Sequence, residues 1–212
     1  MKTLLIFGIS PKLGTGYQIS QLAIQCQPKW RCIVLVRDAN FAKQLAEQGI
    51  EAYVGDATDA SLVKKLCELA GSNATIISTL GGITGNYIAQ RTIIDCAEQT
   101  DINHMVLVTS LGCGDSWPTL SARAKQAFGQ AVREKSLAEV WLQTSSLNYL
   151  ILRPGGLVDG DATGEGRCYH QQEVHGFIHR TELARLIINK IDDQQIDNRI
   201  YSVIEPSLKI NY

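Results

Sequence analysis

Short apolar runs alternate with segments of helical period along most of this chain, and few folds accommodate that rhythm. The runs are Thr3–Phe7, Cys32–Val36, Ala52–Val54, Thr75–Thr79, Met105–Thr109 and Tyr149–Leu152. Between them, Tyr17–Cys26, Phe41–Gln48, Ser61–Leu69, Tyr87–Glu98 and Ala122–Thr144 carry apolar residues at helical spacing, as Leu62, Leu66 and Leu69 do. Strands that are apolar throughout, each returned to the sheet by a helix, predict a parallel sheet buried on both faces. The expected fold is therefore α/β, a Rossmann-like doubly wound and mostly parallel sheet. Asp59 is placed to cap the third helix, and Gly49 and Gly71 stand where helices commonly end.

Beyond Pro154 the texture changes. Residues 155–166 are rich in glycine and polar side chains, which predicts a long loop of the kind that usually carries function. A short strand near Val174–Ile178, a helix over Thr181–Ile191 and a last strand at Ile200–Ile204 follow. Residues 155–212 are thus expected to form a small substrate-side lobe, dependent on the rest, within one domain spanning 1–212.

Composition narrows the partners. With 20 Lys and Arg against 21 Asp and Glu, the chain lacks the basic excess of a nucleic-acid binder. No apolar run reaches the roughly 18 residues of a membrane span, and no basic-then-apolar leader opens the sequence, so a cytoplasmic protein is expected. The six cysteines form no CxxC pair. His170, His175 and His179 are spaced like ligands but lack accompanying carboxylates on a helix, so no metal is expected. Cys113 is expected to be a structural thiol.

The strand ends carry the chemistry. The first empties into Gly8, Ser10, Lys12, Gly14, Thr15 and Gly16, a glycine-bearing turn before a helix, which lets backbone approach a phosphate. Five residues separate Gly8 from Gly14, so this loop must bulge, around Pro11 and Lys12. The second strand ends at Arg37, which can fork onto a 2′-phosphate and argues for NADP(H); Asp38 beside it keeps NAD(H) open. The third ends at Asp56 and Ala57, able to meet an adenine. The fourth leads into Thr79, Leu80 and Gly81, where backbone can lie against the ribose or nicotinamide half of an extended dinucleotide.

Taken together, Leu5-Ile6-Phe7-Gly8, Val34-Leu35-Val36-Arg37-Asp38, Gly55-Asp56-Ala57, Val108-Thr109-Ser110 and Leu152-Arg153-Pro154-Gly155-Gly156-Leu157 resemble the short-chain dehydrogenase/reductase superfamily. The likeness is to its atypical, smaller branch of NAD(P)H-binding proteins, similar to biliverdin IXβ (flavin) reductase and the NmrA-like proteins. It implies that Thr109 and Ser110 face the nicotinamide and that Pro154, Gly155 and Gly156 line the same end. In the full-size enzymes a tyrosine four residues before a lysine is the general acid. Here Lys135 takes the lysine position with Ala131 before it, and Lys125, preceded by Ser121, competes. Without a tyrosine acid, the resemblance implies an NADPH-dependent reductase acting on a conjugated planar acceptor, such as a flavin, a quinone or a linear tetrapyrrole, with Ser110 and Lys135 at the reacting end. The alternative is a non-catalytic NADP(H) sensor of the NmrA-like type; a sugar-nucleotide epimerase ranks below both, since such relatives retain the tyrosine. A monomer or weak homodimer is expected. Trp117 and Pro118 are expected in a loop beside the pocket, and Arg180 and Thr181 at the start of the late helix.

Overall fold

The computed structural model describes residues 2–11, 14–82 and 86–209. Strands β1 (Thr3–Phe7), β2 (Arg31–Val36), β3 (Glu51–Val54), β4 (Thr75–Ser78), β5 (His104–Val108) and β6 (Asn148–Pro154) all run parallel, in the order β3-β2-β1-β4-β5-β6. The central strands are apolar through their middles, as Leu4–Phe7, Ile76–Ile77 and Met105–Val108 show, because both faces are covered. Helices α1 (Thr15–Gln25) and α2 (Ala39–Glu47) pack Ile19, Ala23, Phe41 and Leu45 on one face. On the other, α3 (Ala60–Ala70), α4 (Tyr87–Glu98) and α5 (Ala122–Gln143) contribute Val63, Leu66, Ile93, Ala138 and Leu142. The chain crosses from the sheet's edge at β3 back to β4 beside β1, so the strand order reverses between β1 and β4; open α/β sheets bind ligands at such a switch point. Asp59 accepts from the amides of Ser61 and Leu62 and caps α3, and Gly49 and Gly71 take φ +82 after their helices.

The segment after Pro154 is more ordered than its composition predicts. Within the expected long loop lies β7 (Gly156–Val158), and the strand expected near Val174–Ile178 is β9 (Phe177–His179), which pairs with β7 in parallel. A further strand, β8 (Arg167–Tyr169), pairs antiparallel with the last one, β10 (Arg199–Ile204), while β10 pairs with β6. Three-residue strands are too short to show an alternation, which is why the residues alone hide β7 and β8. Helix α6 (Arg180–Asp192) joins the α1 layer through Leu183, Ala184, Ile187 and Ile188.

Two buried carboxylates hold the glycine-rich stretch. Glu205 accepts from the His179 amide at 2.8 Å and the Thr163 hydroxyl at 2.7 Å. Glu182 accepts from the amides of Gly164 at 2.9 Å and Gly166 at 2.8 Å, and from one edge of Arg185, Nε at 2.9 Å and Nη2 at 2.6 Å. Burial alone would push the Glu182 carboxyl up, but Arg185 and the two amides outweigh it and hold the group down at about 2, against an ordinary 4.5. A carboxyl depressed on folding contributes stability that is full above its unfolded value and is lost as pH falls through the folded one. Because Arg185 is one-third exposed and partly screened, the contribution is on the order of 2 kcal/mol. The stability gap between the native protein and Glu182→Gln, measured by denaturant unfolding, should therefore narrow as pH falls from 4.5 towards 2. A gap that stays constant across that window would mean Glu182 is not held by these partners.

Candidate active site

The carboxyl ends of β1 to β5 border a groove of about 550 Å³. Its floor is set by a close approach of two strand exits. Gly8 has φ +90, and a Cβ there would lie 2.5 Å from the Leu80 amide nitrogen, so β1 can leave alongside β4 only with glycine at this position. The Thr79 hydroxyl donates to the Gly8 carbonyl at 2.9 Å and fixes the pair. Gly16 lies behind this contact, against Thr79 and Gly8, and serves helix packing rather than the groove wall.

The wall collects most of the residues expected there: Gly8, Ser10, Gly14, Thr15, Arg37, Asp56, Ala57, Thr79, Leu80, Gly81, Thr109 and Lys135. Lys12 lies outside the described residues. Gly14 caps α1 without a side-chain hydrogen bond, and the first turn of α1 holds no acidic residue. A helix start of this kind turns its amides and its positive end towards an anion. Asp38 caps α2 through Oδ1, accepting from the Phe41 amide at 2.6 Å. Arg37 stands exposed beside Asp56, whose carboxylate accepts from the Thr58 hydroxyl at 2.7 Å and amide at 2.8 Å. Those bonds, from the hydroxyl first, hold the Asp56 carboxyl below its usual range. An anion cradle at α1, an arginine at the β2 exit and small residues between them fit an extended dinucleotide with an extra phosphate.

At the β5 exit, α5 presents Lys135 and Glu139 one turn apart with Thr109 between them. The Lys135 ammonium donates to the Thr109 carbonyl at 3.0 Å, and the Thr109 hydroxyl donates to Glu139 Oε1 at 2.6 Å. Glu139 is also gripped by Arg153, through Nε at 3.0 Å and Nη2 at 2.7 Å, while Arg153 Nη1 donates to Asp115 at 2.5 Å. Burial lowers the Lys135 pKa, opposed by Cys113 and Glu139. Lys125 lies instead over the Trp117 ring, 5.4 Å from its centroid, outside the groove.

Three expectations move. Ser110 is half-buried next to Thr109 but is not part of the groove wall; the backbone carbonyl of Thr109 is what Lys135 meets. Pro154, Gly155 and Gly156 are also absent from the wall. Gly155 donates to Val203 O at 2.9 Å and Gly156 to Gly176 O at 2.9 Å, which sets their backbone against β10 and the turn before β9, while Leu157 borders the groove. Trp117 sits on a 3-10 helix, Gly114–Thr119, between Lys125 and Arg133. Cys113 is buried, which pushes its thiol up to about 11. Each histidine has its own separate partner: Ile200 O for His170, Glu173 for His175 and Glu205 for His179.

The groove also holds a residue that the reading of the chain placed only as a helix start, Arg180. A signal was present: a cation at the first position of a helix runs against the helix dipole and asks for another reason to be there. A second, larger groove of about 740 Å³ lies between α5 and residues 169–174, but none of the β1 to β4 exits borders it.

Residues 14–194 match the family described as NAD(P)H-binding. ChuY, an anaerobillin reductase from Escherichia coli O157:H7, is 50% identical with a TM-score of 0.94, covering 99% of this chain and 100% of that one. YhfK, an uncharacterized sugar epimerase of Bacillus subtilis (strain 168), is 25% identical over 208 residues, 91% of this chain and 92% of that protein. Sanguinarine reductase of Eschscholzia californica is 27% identical over 124 residues, 56% of this chain and 44% of that protein.

Proposed function

The chain belongs to the NAD(P)H-binding family, and from that premise we propose that it is an NADPH-dependent reductase of a flat conjugated acceptor, with linear tetrapyrroles the foremost class. The observation that carries the reading is the reacting end itself: Lys135 stands in the groove wall, and Ala131 occupies the position one helical turn earlier where a phenol acid would be needed for an isolated carbonyl. A delocalised acceptor spreads the incoming charge and needs less acid assistance. The 50% identity to ChuY along the full length of both chains supports the tetrapyrrole class, and the partial likeness to sanguinarine reductase supports reduction of a conjugated ring.

NADPH, when bound, supplies the hydride, one proton comes from solvent or a side chain, and the acceptor gains both. The chain's own residues do the rest. The amides at the start of α1 would take the pyrophosphate, Arg37 the 2′-phosphate, and Asp56 with Ala57 the adenine edge. Lys135 holds a positive charge at the inner end of the groove, where it would meet ribose hydroxyls and offset negative charge arriving on the acceptor. Thr109, fixed between Lys135 and Glu139, keeps that charge in place, and Leu157 helps to exclude water. Rate enhancement here comes mainly from orientation of two flat reactants.

The test is anaerobic mixing of the protein with NADPH and a panel of a flavin, a quinone and biliverdin, following absorbance at 340 nm. Loss of absorbance that is fastest with the tetrapyrrole is the expected result. Tight NADPH binding without turnover of any acceptor would overturn the reductase reading in favour of a redox sensor.

A further inference from the structure

Among the described residues, the groove wall contains one carboxylate, Asp56, and three cations, Arg37, Lys135 and Arg180. The first two cations have evident work: Arg37 lies at the β2 exit with Asp56, and Lys135 is half-buried and turned onto the Thr109 carbonyl. Arg180 has none that the dinucleotide requires. It opens α6 and stands in the wall with Leu157, past the end of β6, which on the reductase reading is the side left to the acceptor.

Its present partner is exchangeable. Arg180 Nη1 donates to Asp159 Oδ1 at 2.5 Å, with side chains 29% and 50% exposed, so water competes for both groups. Exposed pairs of this kind hold each other weakly. The loop at residues 159–166 does not depend on it: the Thr181 hydroxyl holds the Gly160 carbonyl at 2.6 Å, and Glu182 and Glu205 hold the stretch beyond. Meanwhile the first position of a 13-residue helix is a poor place for a cation. A planar fork with one edge on a half-exposed carboxylate is equipped to take another carboxylate bidentately.

We infer that Arg180 is a specificity residue of the acceptor site: it receives an acidic arm of the acceptor, and Asp159 occupies the fork until that arm displaces it. The inference rests on the reductase reading and narrows it, since neutral ring systems would forgo this contact while a conjugated acceptor bearing carboxylates would gain it.

The experiment compares biliverdin, which carries two propionate arms, with its dimethyl ester. Binding of each to the NADP⁺-loaded protein is followed by the visible absorption of the pigment, and turnover by NADPH oxidation. Arg180→Ala should weaken biliverdin about tenfold in both Kd and KM, Arg180→Lys by less, and leave the ester and NADPH within about twofold. Asp159→Asn, which frees the fork, should tighten biliverdin by about threefold and leave the ester unchanged. Equal losses for acid and ester, or a rise confined to the KM for NADPH, would overturn the inference by making Arg180 a packing or cofactor residue. Absence of turnover with every acceptor would sink the reductase reading by itself, and the pigment titrations would still decide whether Arg180 reads a carboxylate.

Discussion

Replacing Glu139 by alanine is expected to lower the unfolding free energy by about 3–5 kcal/mol, the cost of leaving a buried charge without its partner. Glu139 is 1% exposed and Arg153 5%, and the guanidinium grips both carboxylate oxygens while Thr109 adds a third bond at 2.6 Å. With Glu139 gone, Arg153 keeps only Asp115, whose side chain is 86% exposed and whose field water screens. For a domain of this size such a loss lowers the melting temperature by about 10 °C. Two controls separate the buried pair from a mere cavity. Asp115→Asn removes the exposed partner of the same arginine and should cost about 0.5 kcal/mol or less. Pairing Glu139→Leu with Arg153→Met removes both charges and should recover much of the loss. If Glu139→Ala costs no more than Asp115→Asn in urea unfolding, the carboxylate does not carry this network.

The same pair explains what the Leu152-Arg153-Pro154-Gly155-Gly156-Leu157 run contributes. Its position at the end of β6 directs attention to the proline and glycines as groove lining, yet the arginine is the residue that ties β6 to α5, to the 3-10 helix and, through Glu139, to Thr109 and Lys135. Thr109 and Lys135 are thus placed by an ion pair that lies outside the wall of the groove they border.

What is legible in the residues follows from how local each feature is. A strand exit is written in a few consecutive positions, so Gly8, Arg37, Asp56 and Thr79 could be assigned from the apolar runs that precede them, and they share one groove with Thr109, to which the resemblance pointed. Strand pairing is not local: nothing near Arg199–Ile204 says that β10 will lie beside β6, or that Arg167–Tyr169 will pair against it. The glycine-rich stretch reads as loop because its order comes from Glu182 and Glu205, carboxylates well downstream. Ser110 and Thr109 show a finer limit. The resemblance points to the turn as a whole, whereas Thr109 and not Ser110 borders the groove because Thr109 is held by Glu139 of α5.

Removing the Arg37 side chain should separate the two dinucleotides. An exposed guanidinium at the β2 exit can fork onto a 2′-phosphate, and the neighbour that could instead accept from a 2′-hydroxyl, Asp38, caps α2 through Oδ1 at 2.6 Å. Asp56, the other acid near this end, is turned onto Thr58. Charge-assisted bonds of this kind contribute about 1.5–3 kcal/mol, so Arg37→Ala should raise the Kd for NADPH by about 10- to 150-fold. NADH, which lacks the phosphate, should weaken by less than about threefold, because the α1 amides and the adenine contacts are unchanged. The ratio of the two dissociation constants, read from quenching of intrinsic fluorescence on titration, is the decisive quantity since it cancels any general loosening of the β2 exit. Equal weakening of NADPH and NADH would remove Arg37 from the phosphate site. A salt series gives a second check: the preference for NADPH should shrink with ionic strength in the native protein and hardly respond in the variant, as expected when one exposed cation accounts for most of it.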